Sequence, residues 1–150
     1  MTSALLAGHL AAIVANQALA NRAPTTSDLW RYAARYQRGR GAILASFDAA
    51  RRVFESLGEA DLAALLASGV VGPQDYIAVQ SARRFSLAPT AVLRRTVGLA
   101  RRPRLVPAVA RLAAVSNAVY RHYRRYPETF DAKQFAAWRQ TARRLFAAVA

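Results

Sequence analysis

The chain has 150 residues, of which 54% are hydrophobic and 20% are charged, values that exclude a disordered chain and suit one globular domain with a buried core. Its 22 basic residues outnumber the 8 acidic ones, and all but Lys133 are arginines, which leaves a formal net charge of +14. Such a surface attracts phosphate on nucleic acid, lipid or a small ligand, and the alternative is a compositional bias toward alanine and arginine.

The absence of cysteine excludes disulfides, zinc–thiolate sites, iron–sulfur clusters and thiol nucleophiles. No run of 18 or more apolar residues marks a membrane span. The segment 1–23 has a faint likeness to a signal peptide, but no basic residue precedes Arg22, and Asn16 and Gln17 interrupt its apolar part. We interpret it as a mature helix and expect a cytoplasmic protein that is at most peripheral to a membrane.

Helical patterns begin at the N-terminus, and strand signals are nearly absent from the chain. Apolar residues recur at spacings of three and four, and alanine, leucine and arginine all favour helices. The first helix is predicted from Thr2 or Ser3 to Ala20, with one of those hydroxyls as its N-cap. Thr26 or Ser27 is predicted as the N-cap of the second helix.

The stretch RYAARYQRGRGAILASF, residues 31–47, fits either an anion-binding loop or a helix that contains two glycines. A helical register continues through Gly39 and Gly41, on Leu29, Tyr32, Tyr36, Ile43, Phe47, Ala50, Phe54 and Leu57. A loop would not preserve that register, and each glycine costs a helix about 1 kcal/mol relative to alanine. We therefore predict one long helix over about 27–57, in which the glycines allow another helix to approach closely. The arginines then lie largely on its solvated side: Arg31, Arg35, Arg38 and Arg40.

Glycine and proline positions divide the rest of the chain into further helices, predicted over about 59–68, 73–83, 86–102 and 104–126. Asp131 and Gln134 form a predicted capping box for the last helix. The sequence thus predicts a single all-α domain over residues 1–150. We expect a bundle of about seven helices with two long ones, at about 27–57 and 104–126.

Groups that could form a catalytic or metal site are few. His9 and His122 lie on different predicted helices and are interpreted as structural, and we expect neighbouring arginines to lower the pKa of His122. The carboxylate pairs stand at predicted helix starts, where they offset the helix dipole: Glu59 with Asp61, and Glu128 with Asp131. No metal-ligand spacing, phosphate loop or dinucleotide motif is present. The sequence therefore predicts no catalytic, cofactor-binding or metal-binding residue.

Two arginine clusters are the candidates for contact with an anionic partner. The first brackets Pro103, and the second alternates with Tyr120, Tyr123 and Tyr126. Arginine beside aromatic side chains suits stacking on nucleic-acid bases and equally a lipid–water interface. The candidates are Arg101, Arg102, Arg104, Arg121, Arg124 and Arg125.

The segments LLAGHLAA and LWRYAARYQRGRGA resemble the C-terminal part of the geranylgeranyl-reductase-like FAD-dependent oxidoreductases. In that family a helix with a small-Gly-x-x-Ala-Ala signature precedes one with Leu-x-x-Tyr-x-x-x-Tyr and a later glycine. The tail segments RRP, YRRYP and FAAW are similar as well. The matching residues are Gly8, Ala11, Ala12, Leu29, Tyr32, Tyr36, Gly41, Tyr126, Pro127 and Trp138.

The resemblance implies a helical module of an enzyme that uses FAD to reduce isoprenoid double bonds in lipids or pigments. The family's flavin-binding motifs are missing here, so the chain is not expected to bind FAD or to catalyse by itself; it would need a flavin-domain polypeptide, or is a remnant of a larger enzyme. The expected partners are that polypeptide and an anionic lipid or membrane surface. The alternatives are a nucleic-acid-binding module and an interaction or homo-oligomerisation subunit.

Overall fold

The computed structural model describes residues 3–20, 24–72, 77, 81 and 103–148. Their α-helices are α1 (Ser3–Ala20), α2 (Thr26–Tyr36), α3 (Ala42–Glu55), α4 (Glu59–Ala67), α5 (Val106–Tyr123) and α6 (Ala132–Ala147). A π-helical segment, Gln37–Gly41, joins α2 to α3 without a break, and a 3-10 turn, Pro103–Leu105, leads into α5. No strand occurs among these residues, so the all-α prediction is confirmed.

The segments α2, Gln37–Gly41 and α3 form one continuous helix, which we call the rod. Counted this way, the described residues form five helices, whereas the sequence predicted about seven. The predicted helices over 73–83 and 86–102 lie outside the described residues, apart from Ile77 in a helix and Ser81 in a turn. The two long helices are confirmed, with the rod over 26–55 and α5 ending at Tyr123 instead of near 126.

The rod passes through its two glycines by widening into a π turn, in which the backbone hydrogen bonds run from residue i to i+5. A Cβ atom on Gly41 would collide with the Gln37 side chain and approach the Tyr36 carbonyl oxygen to 3.3 Å, whereas one on Gly39 would meet nothing within 4 Å. The nearest atoms to Gly41 thus belong to the rod itself. The sequence analysis attributed Gly41 to the close approach of another helix, whereas the structure attributes it to crowding within the π turn.

The main core lies between α3 and α5, which run antiparallel. Val53 packs with Leu112 at one end, and Arg38 hydrogen-bonds the Tyr126 carbonyl at the other. The buried face of α3 consists of short side chains: Ala42, Ser46, Ala49, Ala50 and Val53. Short side chains let two helix backbones approach closely, while α5 fills the interface with Val109, Leu112, Ser116 and Val119.

The large apolar residues of the helical register predicted from the sequence lie beside this small-residue face and do not form it. Ile43, Phe47 and Phe54 are half-buried, and Leu29 is 53% exposed. The observed buried face is therefore displaced from the predicted apolar register by about one residue around the rod. The physical reason is that the line of closest approach between two helices excludes bulky side chains, which pack along its edges.

Capping side chains set the starts of α2 and α6. The N-cap of α2 is Thr25, so the prediction of Thr26 or Ser27 is wrong. The Thr25 hydroxyl accepts a hydrogen bond from the Asp28 backbone N–H, and the Asp28 carboxylate accepts one from the Thr25 N–H at 3.0 Å. Asp131 caps α6, since its Oδ1 accepts from the Gln134 N–H at 2.7 Å, but the return bond from the Gln134 side chain that the predicted capping box requires is not formed.

Candidate functional site

Helix α1 leaves an apolar face uncovered. It packs on α2 through one narrow face, where Val14 and Ala18 are buried, whereas Leu5 is 64% and Leu19 67% exposed. The exposed line, which we call the outer face of α1, has helical spacings of three and four: Leu5, Gly8, Ala12, Ala15 and Leu19. The family-matched Gly8, Ala11 and Ala12 are thus exposed, not packed.

Within the described part of the chain, α1 alone is long and apolar enough, by length and composition, to cross a membrane. Its mean hydropathy is 1.4, and 11% of its residues are buried. This helix was predicted from the sequence, but its apolar length was not, because Asn16 and Gln17 interrupt a strict apolar run, whereas an average over the helix tolerates them. A core helix would be mostly buried, so the packing of the described residues does not account for the hydrophobicity of α1.

The connection between α5 and α6, residues 124–131, is fastened to the rod. Trp30 donates its indole N–H to the Pro127 carbonyl oxygen at 2.9 Å, and Arg38 donates its Nε–H to the Tyr126 carbonyl oxygen at 2.7 Å. In the other direction, Arg124 donates from Nη1 to the Arg38 carbonyl oxygen at 3.0 Å, at the π segment. The bonds to Tyr126 and Pro127 satisfy carbonyl groups that follow the end of α5.

An aromatic cluster holds α6 against α5 and the rod. Trp138 stacks on His122 at a centroid distance of 4.8 Å and meets Tyr126 edge-on at 4.7 Å. The other members are Trp30, Tyr123, Phe130, Phe135 and Phe146. The family-matched Tyr126 and Pro127 are buried in this region, so their role in this structure is packing.

The two histidines lie in different surroundings. His9 is exposed on α1. His122 Nε2 lies 2.9 Å from the Trp138 carbonyl oxygen. Burial lowers the pKa of His122, the bond to that carbonyl works in the opposite direction, and the charge of Arg125 adds a smaller lowering. The predicted direction is right, but burial is the main cause. Among the described residues no group of three or more histidine, aspartate or glutamate side chains could hold a metal ion.

Two of the predicted capping carboxylates have cationic partners. Asp61 accepts from Arg104 at 2.7 Å, and Glu128 forms an ion pair with Arg38. Glu59 and Asp61 do lie in the first turn of α4, as predicted. Glu128 precedes the N-cap of α6 and serves the α5–α6 connection instead of the helix dipole.

The structure keeps the two predicted arginine clusters apart. Arg101 and Arg102 lie outside the described residues. Arg104 precedes the start of α5, whereas Arg121, Arg124 and Arg125 lie at its other end, about 25 Å away at 1.5 Å per residue. The interleaved Tyr123 and Tyr126 belong to the aromatic cluster, and burial raises the pKa of both phenols. They are therefore not a platform on which bases could stack.

Two hollows in the described surface are lined by arginines, and the second joins arginines that are distant in the sequence. The first has a volume of about 300 Å³ and is lined by Arg31, Ala34, Arg35, Arg38 and Glu128. The second is a groove of about 440 Å³, lined by Arg52, Tyr123, Trp138, Arg139, Ala142, Arg143, Phe146 and Ala147. The spacings of four and three among the arginines of the first hollow are visible in the sequence, but the contribution of Glu128 depends on the fold.

Arg52, one of the arginines that line the second groove, already has two partners. The Arg52 guanidinium lies 5.0 Å from the centroid of the Phe146 ring and donates to Asp48 at 3.1 Å. Burial acts to raise the pKa of Asp48, but the hydrogen bonds from Arg51 and Arg52 outweigh it, so that this pKa lies below its ordinary value. Asp48 is therefore a carboxylate at neutral pH and offsets one of the positive charges.

Comparison of the chain with protein-family models, with curated proteins and with solved structures finds no match. The features of the chain that bear on function are therefore the outer face of α1, the basic hollows and the charge.

Proposed function

We propose that this chain is a non-catalytic helical module that associates with an anionic membrane surface through α1. The observation that carries the proposal is the outer face of α1, on which Leu5 and Leu19 are 64% and 67% exposed. Moving such apolar surface from water into lipid is favourable by about 25 cal/mol per Å². The outer face is therefore better placed in the apolar boundary of a bilayer than in water.

The charge of the chain supports the same partner. A net charge of +14 is attracted to an anionic leaflet, where each arginine near the surface contributes about 1 kcal/mol. Helix α1 itself contains no lysine, arginine, aspartate or glutamate. A helix that lies on a membrane surface needs charged groups near the lipid headgroups. Here the rest of the domain, on which α1 packs, supplies those charges.

The resemblance to the C-terminal region of isoprenoid reductases adds a role for this association. In the proposal the module binds a flavin-domain polypeptide, which brings FAD, and holds it at a membrane that contains isoprenoid lipids. The residues that match the family's helix patterns, among them Gly8, Ala12 and Tyr32, support this part of the proposal. The chain contributes helices and charge to such a complex but no catalytic group.

A protein partner on α1 is the second candidate function. The outer face has alternating spacings of three and four, and Gly8 and Ala12 give it a shallow centre into which another helix could pack. The occupant would be a helix of the flavin-domain polypeptide or α1 of a second copy. For the nucleic-acid alternative the net charge remains the main support, because Tyr123 and Tyr126 are engaged in packing.

Vesicle sedimentation tests the membrane proposal. We expect the protein to pellet with phosphatidylglycerol-containing vesicles and to stay in the supernatant with phosphatidylcholine vesicles. Leu19→Glu should weaken binding about tenfold, since it removes about 1.5 kcal/mol of burial. Leu66→Glu on α4 is the matched control, because Leu66 is also exposed, at 54%.

Equal binding by Leu19→Glu and wild type would contradict insertion of α1. Failure to pellet with either vesicle, together with a dimer in analytical ultracentrifugation that Leu19→Glu dissociates, would support the second candidate instead. Both variants lower the net charge by one, so weaker binding of Leu19→Glu than of Leu66→Glu reflects the position on α1 and not the change in net charge.

A further inference from the structure

The hollow on the rod that contains three arginines is a separate feature from α1. Arg31 and Arg35 lie one turn apart on α2, and Arg38 follows in the π segment. Helical spacing places the three guanidinium groups on the same side of the rod, around a hollow of about 300 Å³. Glu128 reaches this hollow from the connection between α5 and α6 and supplies the single carboxylate in its lining.

The charges in the hollow are compensated only in part. Arg38 is half-buried and held in place, because its Nε donates to the Tyr126 carbonyl oxygen at 2.7 Å and its Nη1 pairs with Glu128. Arg31 and Arg35 are exposed, and neither forms an ion pair or hydrogen bond with any residue in the described part of the chain. Like charges one turn apart on a helix repel each other. The hollow thus carries two uncompensated positive charges, which an anion would stabilise.

We propose that this hollow binds a phosphate monoester or inorganic phosphate. Guanidinium groups match phosphate oxygens in bidentate geometry, and Arg31 and Arg35 offer five N–H donors each. A phosphate dianion can accept from both at once, whereas a carboxylate has fewer oxygens and half the charge. Arg38 is the pre-positioned third donor. The phosphate competes with Glu128 for that arginine, and Glu128 holds it in position when the hollow is empty.

Titration calorimetry with inorganic phosphate at low ionic strength tests the site. Replacing Arg31 and Arg35 together by alanine should raise the dissociation constant about tenfold or more. Replacing Lys133 and Arg144 by alanine is the matched control, since it removes the same charge from exposed positions on α6 that line neither hollow. That control should stay within about twofold of wild type. Glu128→Gln should tighten binding several-fold, because it removes the competing charge.

Vesicles distinguish a lipid headgroup from a soluble phosphate ester. Phosphatidic acid presents a phosphate monoester, and phosphatidylglycerol presents a diester. A preference for phosphatidic acid that the Arg31/Arg35 double variant abolishes would assign the hollow to a lipid headgroup. Phosphate binding without that preference would assign it to a soluble monoester.

Unchanged phosphate affinity in the Arg31/Arg35 double variant would overturn the proposal. So would an equal loss in the Lys133/Arg144 control, because binding would then follow net charge alone. Thermal melts of each variant check that the fold is intact, which we expect because Arg31 and Arg35 form no hydrogen bond or ion pair with another described residue. Binding of soluble phosphate does not require α1, so its outcome is independent of the vesicle test on Leu19→Glu.

Discussion

Replacing Ala49 by leucine tests the close packing of α3 on α5. Ala49 lies on the buried face of α3 and is 0% exposed, so a leucine side chain meets packed atoms in every direction from its Cβ. Overpacking of this kind costs about 1–3 kcal/mol of the free energy of unfolding. In a domain of this size 1 kcal/mol shifts the melting temperature by about 2–4 °C. We therefore expect a decrease of about 2–12 °C in the melting temperature.

Circular dichroism during heating measures the effect, with Ala110→Leu as the control. Ala110 is on α5 but exposed, so the same substitution adds the same atoms without overpacking the core. An unchanged melting temperature for Ala49→Leu would refute the argument that small residues set the separation of these helices. An equal decrease for Ala110→Leu would refute it too, because the effect would then come from leucine in a helix and not from the interface.

Two further outcomes follow from the α5–α6 region. Trp30→Phe keeps an aromatic ring but loses the hydrogen bond to the Pro127 carbonyl. It should therefore lower the free energy of unfolding, measured by urea denaturation, by about 1 kcal/mol. No change would show that this bond does not hold the α5–α6 connection against the rod. Burial lowers the pKa of His122, so the unfolded chain binds this proton more readily, and stability should fall as pH decreases through the unfolded value of about 6.5. Melting curves between about pH 8 and 5 should show this decrease in stability, and the pH dependence should be weaker in His122→Gln. The same pH dependence in that variant would show that other groups cause it.

The helical class and the rod follow from local chemistry and could be predicted from the sequence. Alanine, leucine and arginine favour helices whatever surrounds them, and the unbroken register across Gly39 and Gly41 shows that the backbone continues as a helix there. The Asp131 cap is also a local interaction, between residues three apart, so the sequence contains all the information it needs.

The buried face of the rod could not be predicted by the same reasoning. Hydrophobic spacing favoured Phe47 and Phe54, but α5 selects Ala42, Ser46 and Ala49, because only short side chains permit its close approach. The exposure of α1 is likewise a tertiary result: its residues are apolar on every side, and contact with α2 covers only a narrow part of them.

The candidate phosphate site combines both kinds of information. The sequence by itself determined that Arg31, Arg35 and Arg38 share a helix face, since helical periodicity alone requires it. Only the tertiary structure decided that Glu128, 90 residues away in the chain, meets Arg38, and that the Tyr126 carbonyl fixes the guanidinium. The physical reason is that such contacts depend on how α5 packs along the rod, and that packing is determined by the whole buried interface and not by any local run of residues.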